Sequence, residues 1–422
     1  MNIRFYHAKI LTMADGFNLI DGELWVSGNT IAYVGAAKAS DHIWDREIDV
    51  KGNLLMPGFK NAHTHSAMTF LRSYADDLPL LDWLSQQVFP MEAKLSSEDI
   101  YHLSKLAIME YLTSGMTANF DMYLSPDQVA QASIDCGFRT VMCGAINDYG
   151  GELSILEDNF NKFNRFNPLI SYRLGFHAEY TTSRPMLEGI AGLSHKYKAP
   201  VFTHNSESLA EVEQCLNRNG MTPTAFLNSI GLFEYGGGGY HCVHMNDEDL
   251  EIFRSKGLSV VTNPGSNCKL ASGIAPIQKM SDMGINLAIG TDGPASNNCL
   301  DMFREMFLTT ALQKIQTKDA SALDANKVLY MATVGGARAM GLNDCDTLSS
   351  GKLADLIIID LNQPNMQPIN NITKNLVYSG SKQNVKLTMV NGKILYEDNQ
   401  FHIGVDPQDV YAKANEIINS KR

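Results

Sequence analysis

Two histidines, His63 and His65, are separated by a single residue just after the apolar run 54–56. In an extended backbone side chains alternate with a period of two, so both imidazoles point the same way and can bind one ion. On an α-helix the same spacing would turn the two rings about 200° apart, which one ion could not bridge. Because the chain has 11 histidines and no other pair with this spacing, the pattern predicts a metal site on an extended segment.

Further residues that can bind a metal or move a proton follow other predicted strands. They are His177, His204, Glu207, His241 and Asp292. The carboxyl ends of the strands of a parallel barrel lie on one face, so we expect these groups to converge with the histidine pair. The converging ligands suit one Zn²⁺ ion per chain, with Fe²⁺ or Mn²⁺ as alternatives. The predicted ligand set is His63, His65, His204 and Asp292.

The predicted site has the groups that hydrolysis requires. A bound metal ion lowers the pKa of water from about 15.7 to about 7, which activates it at neutral pH. Asp292 can hydrogen-bond this water as well as bind the ion. Glu207 stands three residues after His204, so a helix beginning there would bring both to one pocket, with Glu207 as the proton shuttle. His241 can orient the water and stabilise developing charge.

The elements that must position these groups form a repeating pattern of strand and helix. Strands are predicted for the run into His63 and for 117–123, 138–146, 170–180, 200–205, 239–244, 259–263 and 285–290. Helix-compatible segments separate most of them, and include 96–113, 126–136, 206–217, 247–255 and 300–316. Eight strands between residues 57 and 345 predict a (β/α)₈ barrel as the catalytic domain. The glycine run 236–239 precedes the sixth strand and is interpreted as a loose connection.

Short strands with turn signals occupy both ends of the chain. They are predicted at 4–11, 22–26, 30–34, 47–50, 354–360 and 385–395. Asn391-Gly392 inside the last of these is a hairpin signal. We therefore expect 1–56 and 346–422 to form one small composite β-sandwich, closed by a helix over 406–422.

Composition restricts the partners that the protein can have. The net charge is −12 and no segment is rich in Lys and Arg, which argues against nucleic acid or an anionic membrane as a partner. A small-molecule substrate is the expected ligand. The seven cysteines are scattered and form no Cys-x-x-Cys pair, and neither a signal-peptide pattern nor a long apolar run is present. These features predict a cytoplasmic protein with reduced thiols, and barrels of this kind commonly form homo-oligomers.

Five segments together resemble one known family. They are 63–65, 204–207, 241–245, 263–276 and 290–298. In this order they closely resemble the amidohydrolase superfamily, and within it the branch of 5-methylthioadenosine/S-adenosylhomocysteine deaminases. The resemblance implies the metal set and catalytic roles given above. It also implies that Glu207 contacts a purine, that Glu92 hydrogen-bonds ribose hydroxyls and that His177 contacts the nucleoside. His244, near His241, is interpreted as a structural residue without a direct role.

One departure from that branch concerns the substrate. The branch carries two arginines near the third strand that reach towards the sugar and its 5′ substituent. The comparable stretches here, around Gly144 and Ile155, contain neither arginine. Because Arg pairs strongly with carboxylates, this absence disfavours S-adenosylhomocysteine.

The sequence as a whole predicts a metal-dependent hydrolytic deaminase that converts an adenine-type nucleoside to the inosine analogue and ammonia. The substrates considered are 5-methylthioadenosine, adenosine, 5′-deoxyadenosine and, less favoured, S-adenosylhomocysteine. One alternative is hydrolysis of another aminated or halogenated ring, such as guanine, a pterin or a triazine. A second is a non-catalytic scaffold or ligand-binding protein, which is disfavoured because every metal ligand and the acid are present.

Overall fold

The computed structural model describes residues 1–39 and 41–422. Its strands are β1 Asn2–Leu11, β2 Leu19–Ser27, β3 Thr30–Gly35, β4 Arg46–Asp49, β5 Leu54–Pro57, β6 Phe59–Thr64, β7 Met116–Asp121, β8 Arg139–Cys143, β9 Ile170–Ala178, β10 Val201–Asn205, β11 Gly237–His241, β12 Ser259–Thr262, β13 Asn286–Ile289, β14 Leu356–Ile359, β15 Val385–Val390, β16 Lys393–Glu397 and β17 Gln400–Phe401. They form two separate sheets.

Helices alternate with the strands in the central part of the chain. They are α1 Leu80–Trp83, α2 Phe89–Glu92, α3 Ser97–Thr113, α4 Pro126–Cys136, α5 Leu153–Phe163, α6 Arg184–Tyr197, α7 Leu209–Asn219, α8 Pro223–Ser229, α9 Asp247–Ser255, α10 Pro264–Lys269, α11 Ile277–Asp282, α12 Met302–Thr317, α13 Ala325–Tyr330, α14 Gly336–Met340, α15 Ile372–Tyr378 and α16 Pro407–Lys421. Short 3₁₀ or π segments are Ser66–Leu71, Leu84–Val88, Glu179–Thr181, Met331–Gly335, Pro364–Met366 and Lys382–Asn384. Among the described residues no helix combines the length and apolar character needed to cross a bilayer.

The predicted (β/α)₈ barrel is confirmed. Strands β6 to β13 form an eight-stranded sheet in chain order, and each pairs in parallel with its neighbour. The sheet curls so that the segment after β13 meets β6, where the Asp292 N–H donates to the His63 carbonyl at 3.0 Å. Phe120, Phe202 and Tyr240 help to fill the barrel interior, and a second apolar core lies between the strands and the surrounding helices.

Both chain ends contribute to the other sheet, as the sequence predicts. It is one continuous nine-stranded sheet in the order β17-β16-β15-β14-β5-β1-β2-β3, with β4 paired to β1. A separate apolar cluster, including Phe5, Leu24, Leu356 and Met389, is packed within this terminal sheet. The predicted closing helix is confirmed as α16.

The interpretation of residues 236–239 as a loose connection is wrong. Gly237, Gly238 and Gly239 are the first three residues of strand β11. A Cβ atom at Gly237 would lie 1.9 Å from the carbonyl oxygen of Val201 on the neighbouring strand. The glycines therefore allow close approach of adjacent backbones inside the barrel, which is a use of glycine in a strand that a turn signal does not distinguish.

Candidate active site

The predicted metal ligands meet at the carboxyl ends of the barrel strands. His63 belongs to β6, His65 follows it directly, His204 belongs to β10 and Asp292 lies just beyond β13. One ligand atom from each of the four lies within 4.8 Å of the others. Four residues from three strands thus converge although up to 229 positions separate them in the sequence.

Hydrogen bonds from Nδ1 to main-chain carbonyls fix the orientation of two of the imidazoles. His65 Nδ1 lies 2.5 Å from the Met122 carbonyl oxygen, and His204 Nδ1 lies 2.7 Å from the His177 carbonyl oxygen. A carbonyl can only accept, so each Nδ1 carries a proton and Nε2 is the nitrogen left for a metal ion. For His65, burial lowers the pKa but the Asp292 carboxylate raises it to about 9, so its Nε2 is protonated until a metal ion displaces that proton. Both rings therefore present the nitrogen that a metal ion needs.

His63 is the most deeply enclosed of the ligands. Its ring stacks on Tyr240 with centroids 3.7 Å apart, and neither ring nitrogen has a hydrogen-bond partner among the described residues. Burial lowers the pKa of His63 to about 3, so the imidazole is neutral at physiological pH. A buried, neutral imidazole without a partner is the form that binds a metal ion, so these residues fit a metal centre.

Asp292 uses its two carboxylate oxygens differently. Oδ1 lies 3.5 Å from His63 Nε2 and 3.2 Å from His65 Nε2. Oδ2 accepts hydrogen bonds from the Ser266 and Ser296 hydroxyls at 2.6 and 2.7 Å. Burial alone would raise the pKa of Asp292, but the two histidines outweigh burial and hold this pKa well below its ordinary value. The carboxylate is therefore charged and faces the ligand cluster with Oδ1.

Glu207 enters the site from a loop and not from a helix. Helix α7 begins only at Leu209, with Ser208 as its N-cap, and Ser206 adopts a left-handed backbone with φ of 51°. The buried Glu211 carboxylate accepts the backbone N–H groups of Ser206 and Glu207 at 2.9 and 2.8 Å. Burial raises the pKa of the Glu207 carboxyl, which favours the protonated form.

His241 stands between Glu207 and Asp292. Its Nδ1 lies 2.7 Å from Asn267 Oδ1 and 3.7 Å from Glu207 Oε1. Its Nε2 lies 4.0 Å from Asp292 Oδ2 and has no hydrogen-bond partner among the described residues. An amide oxygen accepts, so Asn267 places the proton on Nδ1 and leaves the Nε2 lone pair facing the cluster.

Left-handed backbone conformations are concentrated at this end of the barrel. His241, Cys242 and Asp292 have φ values of 67°, 50° and 58°, which are uncommon for residues other than glycine. Such conformations cost of order 1–3 kcal/mol each and persist where the surrounding structure enforces them. They turn the chain sharply at the strand ends, so that a side chain on each turn is directed at the same point.

A cavity of about 610 Å³ opens above the cluster. Its wall is largely apolar and includes Leu80, Trp83, Phe89, Ile146 and Ile155. His65, His204, Glu207, His241 and Asp292 form part of the same wall. Among the described residues that line it, none is Lys or Arg. A largely apolar pocket with a few converging polar groups is typical of a small-molecule site.

The two other predicted substrate contacts also line the cavity. Glu92 ends helix α2, and its buried Oε1 has no hydrogen-bond partner within the part of the chain that the structure describes, nor has the hydroxyl of nearby Tyr123. Burial raises the pKa of Glu92. His177 donates or accepts a hydrogen bond with Thr181 at 2.9 Å, and burial lowers its pKa to about 4. Both residues have polar groups available to a ligand.

The two positions without the expected arginines have different surroundings. Gly144 follows β8, where a Cβ atom would lie 2.4 Å from Leu156 and 2.6 Å from the Gly175 carbonyl oxygen. No side chain fits there without movement of its neighbours. Ile155 is half exposed on α5 and lines the cavity mouth. Neither position can contribute a positive charge.

Sequence reasoning did not find the residues that support the reactive groups. They are Glu211, Ser266, Asn267, Ser272 and Ser296. Four of them lie inside the segments that carry the family resemblance, but hydroxyls and amides at those positions gave no spacing signal of their own. The sequence places His244 near His241 in a structural role, and its Nε2 donates to the Ser272 carbonyl at 2.8 Å.

A (β/α)₈ barrel with a His/His/His/Asp cluster at the carboxyl ends of its strands defines a class of metal-dependent hydrolases. Residues 54–395 match the Amidohydrolase family, and the chain belongs to this family. It is 39% identical over 419 residues to a 5-methylthioadenosine/S-adenosylhomocysteine deaminase of Caldanaerobacter subterraneus subsp. tengcongensis, covering 97% of this chain and 96% of that one.

Solved structures show the same architecture. An adenosine deaminase from Xanthomonas campestris, solved with bound zinc, superposes with a TM-score of 0.93 at 32% identity, covering 100% of this chain and 98% of that one. The atrazine chlorohydrolase of Arthrobacter aurescens superposes with a TM-score of 0.91 at 21% identity, covering 99% of this chain and 100% of that one. The second likeness is evidence for the fold alone.

Proposed function

We propose that this protein is a zinc-dependent hydrolytic deaminase of adenine-type nucleosides, releasing ammonia and the inosine analogue. The observation that carries the proposal is the placement of Glu207 and His241 beside the ligand cluster at the base of the 610 Å³ cavity. The names of the two relatives, a 5-methylthioadenosine/S-adenosylhomocysteine deaminase and an adenosine deaminase, support the same reaction.

The metal centre of the proposal is held by His63, His65, His204 and Asp292. When bound, the ion supplies Lewis acidity and activates water at neutral pH. We propose one Zn²⁺ per chain, because three imidazoles and one carboxylate are a borderline ligand set that zinc favours. Metal analysis of the purified protein tests both the identity and the number of ions.

Glu207 is the proposed proton carrier. Burial raises its pKa, which favours uptake of a proton from the attacking water, and the carboxyl then gives this proton to the ring nitrogen next to the attacked carbon. The water oxygen bonds to that carbon as its first proton passes through Glu207 to the ring nitrogen. The remaining hydroxyl proton then passes to the exocyclic amine, the C–N bond breaks, ammonia leaves and the carbon becomes a carbonyl. We assign the orientation of the water to His241 Nε2 and Asp292, which can accept its O–H groups, and the stabilisation of developing charge to His241 once its Nε2 has taken up a proton.

The cavity wall supports a nucleoside with an uncharged 5′ substituent. Glu92 has a free buried oxygen for ribose hydroxyls, and His177 offers a further polar contact. The apolar wall suits 5-methylthioadenosine, adenosine or 5′-deoxyadenosine. The carboxylate of S-adenosylhomocysteine finds no cation among the lining residues, and hydrogen bonds to charged groups contribute roughly 1.5–3 kcal/mol. We therefore propose that S-adenosylhomocysteine is turned over at least about tenfold less efficiently.

Ammonia release from a substrate panel tests the proposal. The zinc-loaded protein is given adenosine, 5-methylthioadenosine, 5′-deoxyadenosine, S-adenosylhomocysteine and guanine, and the change in purine absorbance is followed alongside ammonia. Turnover of the adenine nucleosides with a weak S-adenosylhomocysteine rate is the expected result. Turnover of guanine alone, or of nothing in the panel, would refute it.

The remaining proposals concern the setting of the enzyme. The net charge of −12 supports a small molecule rather than a nucleic acid or membrane as the partner. A homo-oligomer in the cytoplasm stays a prediction, which light scattering of the purified protein and cell fractionation can check.

A further inference from the structure

The Glu207 carboxyl has a hydrogen-bond partner in Ser272, which has no part in the proposed reaction. The Ser272 hydroxyl lies 3.1 Å from Glu207 Oε1. Ser272 is buried, with 8% of its surface exposed, in the loop that follows helix α10. A serine hydroxyl can donate to a carboxylate and accept from a carboxyl, so this contact can persist while Glu207 loses and regains a proton. The contact occupies Oε1 and leaves Oε2 for the substrate.

The Ser272 loop is itself attached to the segment after β11. His244 Nε2 donates to the Ser272 carbonyl at 2.8 Å. At the same time the backbone N–H groups of Val243 and His244 donate to the Ser206 carbonyl at 3.1 and 2.9 Å. Ser206 directly precedes Glu207, so this short segment contacts both the backbone next to Glu207 and the loop that carries its side-chain partner.

Close packing joins the two loops at one further point. Gly273 has a φ of 126°, and a Cβ atom there would lie 2.9 Å from Val243 Cγ1. The backbone after Ser272 can therefore approach the segment after β11 only because residue 273 is glycine. Ser272 N–H also donates to the Asn267 carbonyl at 2.9 Å, which links the loop to the residue that orients His241.

We infer that Ser272 is a positioning residue for Glu207 and that His244 acts through it, by holding the Ser272 loop against the turn that carries Glu207. This inference rests on the proposed deaminase function, in which Glu207 transfers the proton. A carboxyl free to rotate away from the substrate transfers its proton less efficiently, so the effect falls on kcat more than on substrate binding, to which the other residues of the cavity also contribute.

Steady-state kinetics of Ser272→Ala, Ser272→Thr and His244→Ala test the inference. We expect Ser272→Ala to lower kcat by about tenfold or more, with KM changed less than about threefold and metal content unchanged. Ser272→Thr keeps the hydroxyl and should recover most of the lost kcat. Ser194→Ala is the matched control, because Ser194 is fully buried on α6 and its hydroxyl donates to the Ala199 carbonyl at 2.8 Å. It should leave kcat within twofold of wild type.

A double variant separates the positioning role from general damage to the fold. If His244 acts through Ser272, His244→Ala lowers kcat in the wild type but costs less than about twofold more in the Ser272→Ala background. Independent, multiplicative losses, or a Ser272→Ala enzyme with wild-type kcat, would refute the inference while leaving the deaminase proposal intact. A wild-type protein inactive on every adenine nucleoside would instead refute the proposed function and the inference with it.

Discussion

The metal ligands show how single hydrogen bonds decide what a histidine can do. The Nδ1–H groups of His65 and His204 each donate a hydrogen bond to a main-chain carbonyl, and His63 has no hydrogen-bond partner among the residues that the structure describes. His63 and His204 consequently offer a nitrogen lone pair to the same small volume, and His65 does so when a metal ion displaces the proton that Asp292 favours on its Nε2. The spacing of His63 and His65 predicts two of these ligands because an extended strand fixes their direction. The carbonyl partners come from distant strands, and sequence spacing carries no information about them.

Removal of one ligand should release the metal. His204→Ala leaves three ligand side chains, and we expect it to lose most of its zinc on dialysis against a mild chelator under which the wild type keeps about one equivalent. Metal content measured by mass spectrometry checks the result. The control is His195→Ala, at an exposed position on α6 whose ring contacts the Gly231 carbonyl and Tyr235 and lies outside the ligand cluster. Retention of a full equivalent by His204→Ala would exclude this residue from the ligand set.

Glu207→Gln separates catalysis from metal binding. The amide keeps the size of the side chain but cannot carry the proton, so we expect kcat to fall by about 10²- to 10⁴-fold while zinc content stays at the wild-type value. Ammonia release and metal analysis on the same preparation measure both quantities. A variant with more than about half of the wild-type rate would remove Glu207 from the reaction.

At the scale of elements, the barrel is predictable because strands and helices alternate regularly along the central part of the chain. Local sequence identifies each element: an apolar run indicates a strand, and a cap, such as the Ser96 and Asp99 capping box of α3, indicates a helix. The roles of Gly237 and Ser272 are harder to predict from the sequence. A glycine run is typical of a turn, and only the position of the neighbouring strand shows that Gly237 allows two backbones to approach closely. Ser272 contacts Glu207, which lies 65 positions away in the sequence. Such contacts depend on how elements pack, which a local pattern cannot specify.

Helix α12 supports the site through a buried carboxyl. Glu305 is fully buried and accepts hydrogen bonds from the Gly265 N–H and the Asn297 amide, each at 2.8 Å. Gly265 and Asn297 are the direct neighbours of Ser266 and Ser296, which bond to Asp292. Burial raises the pKa of Glu305 from 4.5 to about 7. The protonation state of Glu305 therefore affects the stability of the two segments that carry Ser266 and Ser296.

The sign of the resulting pH dependence follows from this raised pKa. The folded state binds the Glu305 proton more tightly than the unfolded state, so this group makes the free energy of unfolding decrease as pH rises from about 4.5 to about 7. The decrease is of order a few kcal/mol. The glutamine of Glu305→Gln does not titrate, so we expect the free energy of unfolding of this variant, measured in urea, to fall less between pH 5.5 and pH 8 than that of the wild type. An unchanged fall in Glu305→Gln would show that other groups cause it.

At the scale of the whole molecule, the terminal sheet is joined to the barrel at the end opposite the site. Arg139, the first residue of β8, forms a two-bond ion pair with Asp355, which directly precedes β14, at 2.7 and 3.0 Å. Both side chains are buried, and Asp355 also accepts the Asn391 N–H at 2.7 Å. That both chain ends contribute strands to one sheet is predictable because both show short strands and turns, but the pairing of Arg139 with Asp355 is not.

Asp355→Ala tests how much this junction contributes to stability. The substitution leaves the Arg139 guanidinium buried without its carboxylate, and we expect it to lower the free energy of unfolding by about 3–5 kcal/mol. The active site lies at the other end of the strands, so kcat at 25 °C should stay within about twofold of wild type. The control is Glu251→Ala, which removes an exposed ion pair with Arg254 on α9 and should cost less than about 1 kcal/mol. If both variants unfold at the same urea concentration, the buried pair contributes no more to the free energy of unfolding than the surface pair.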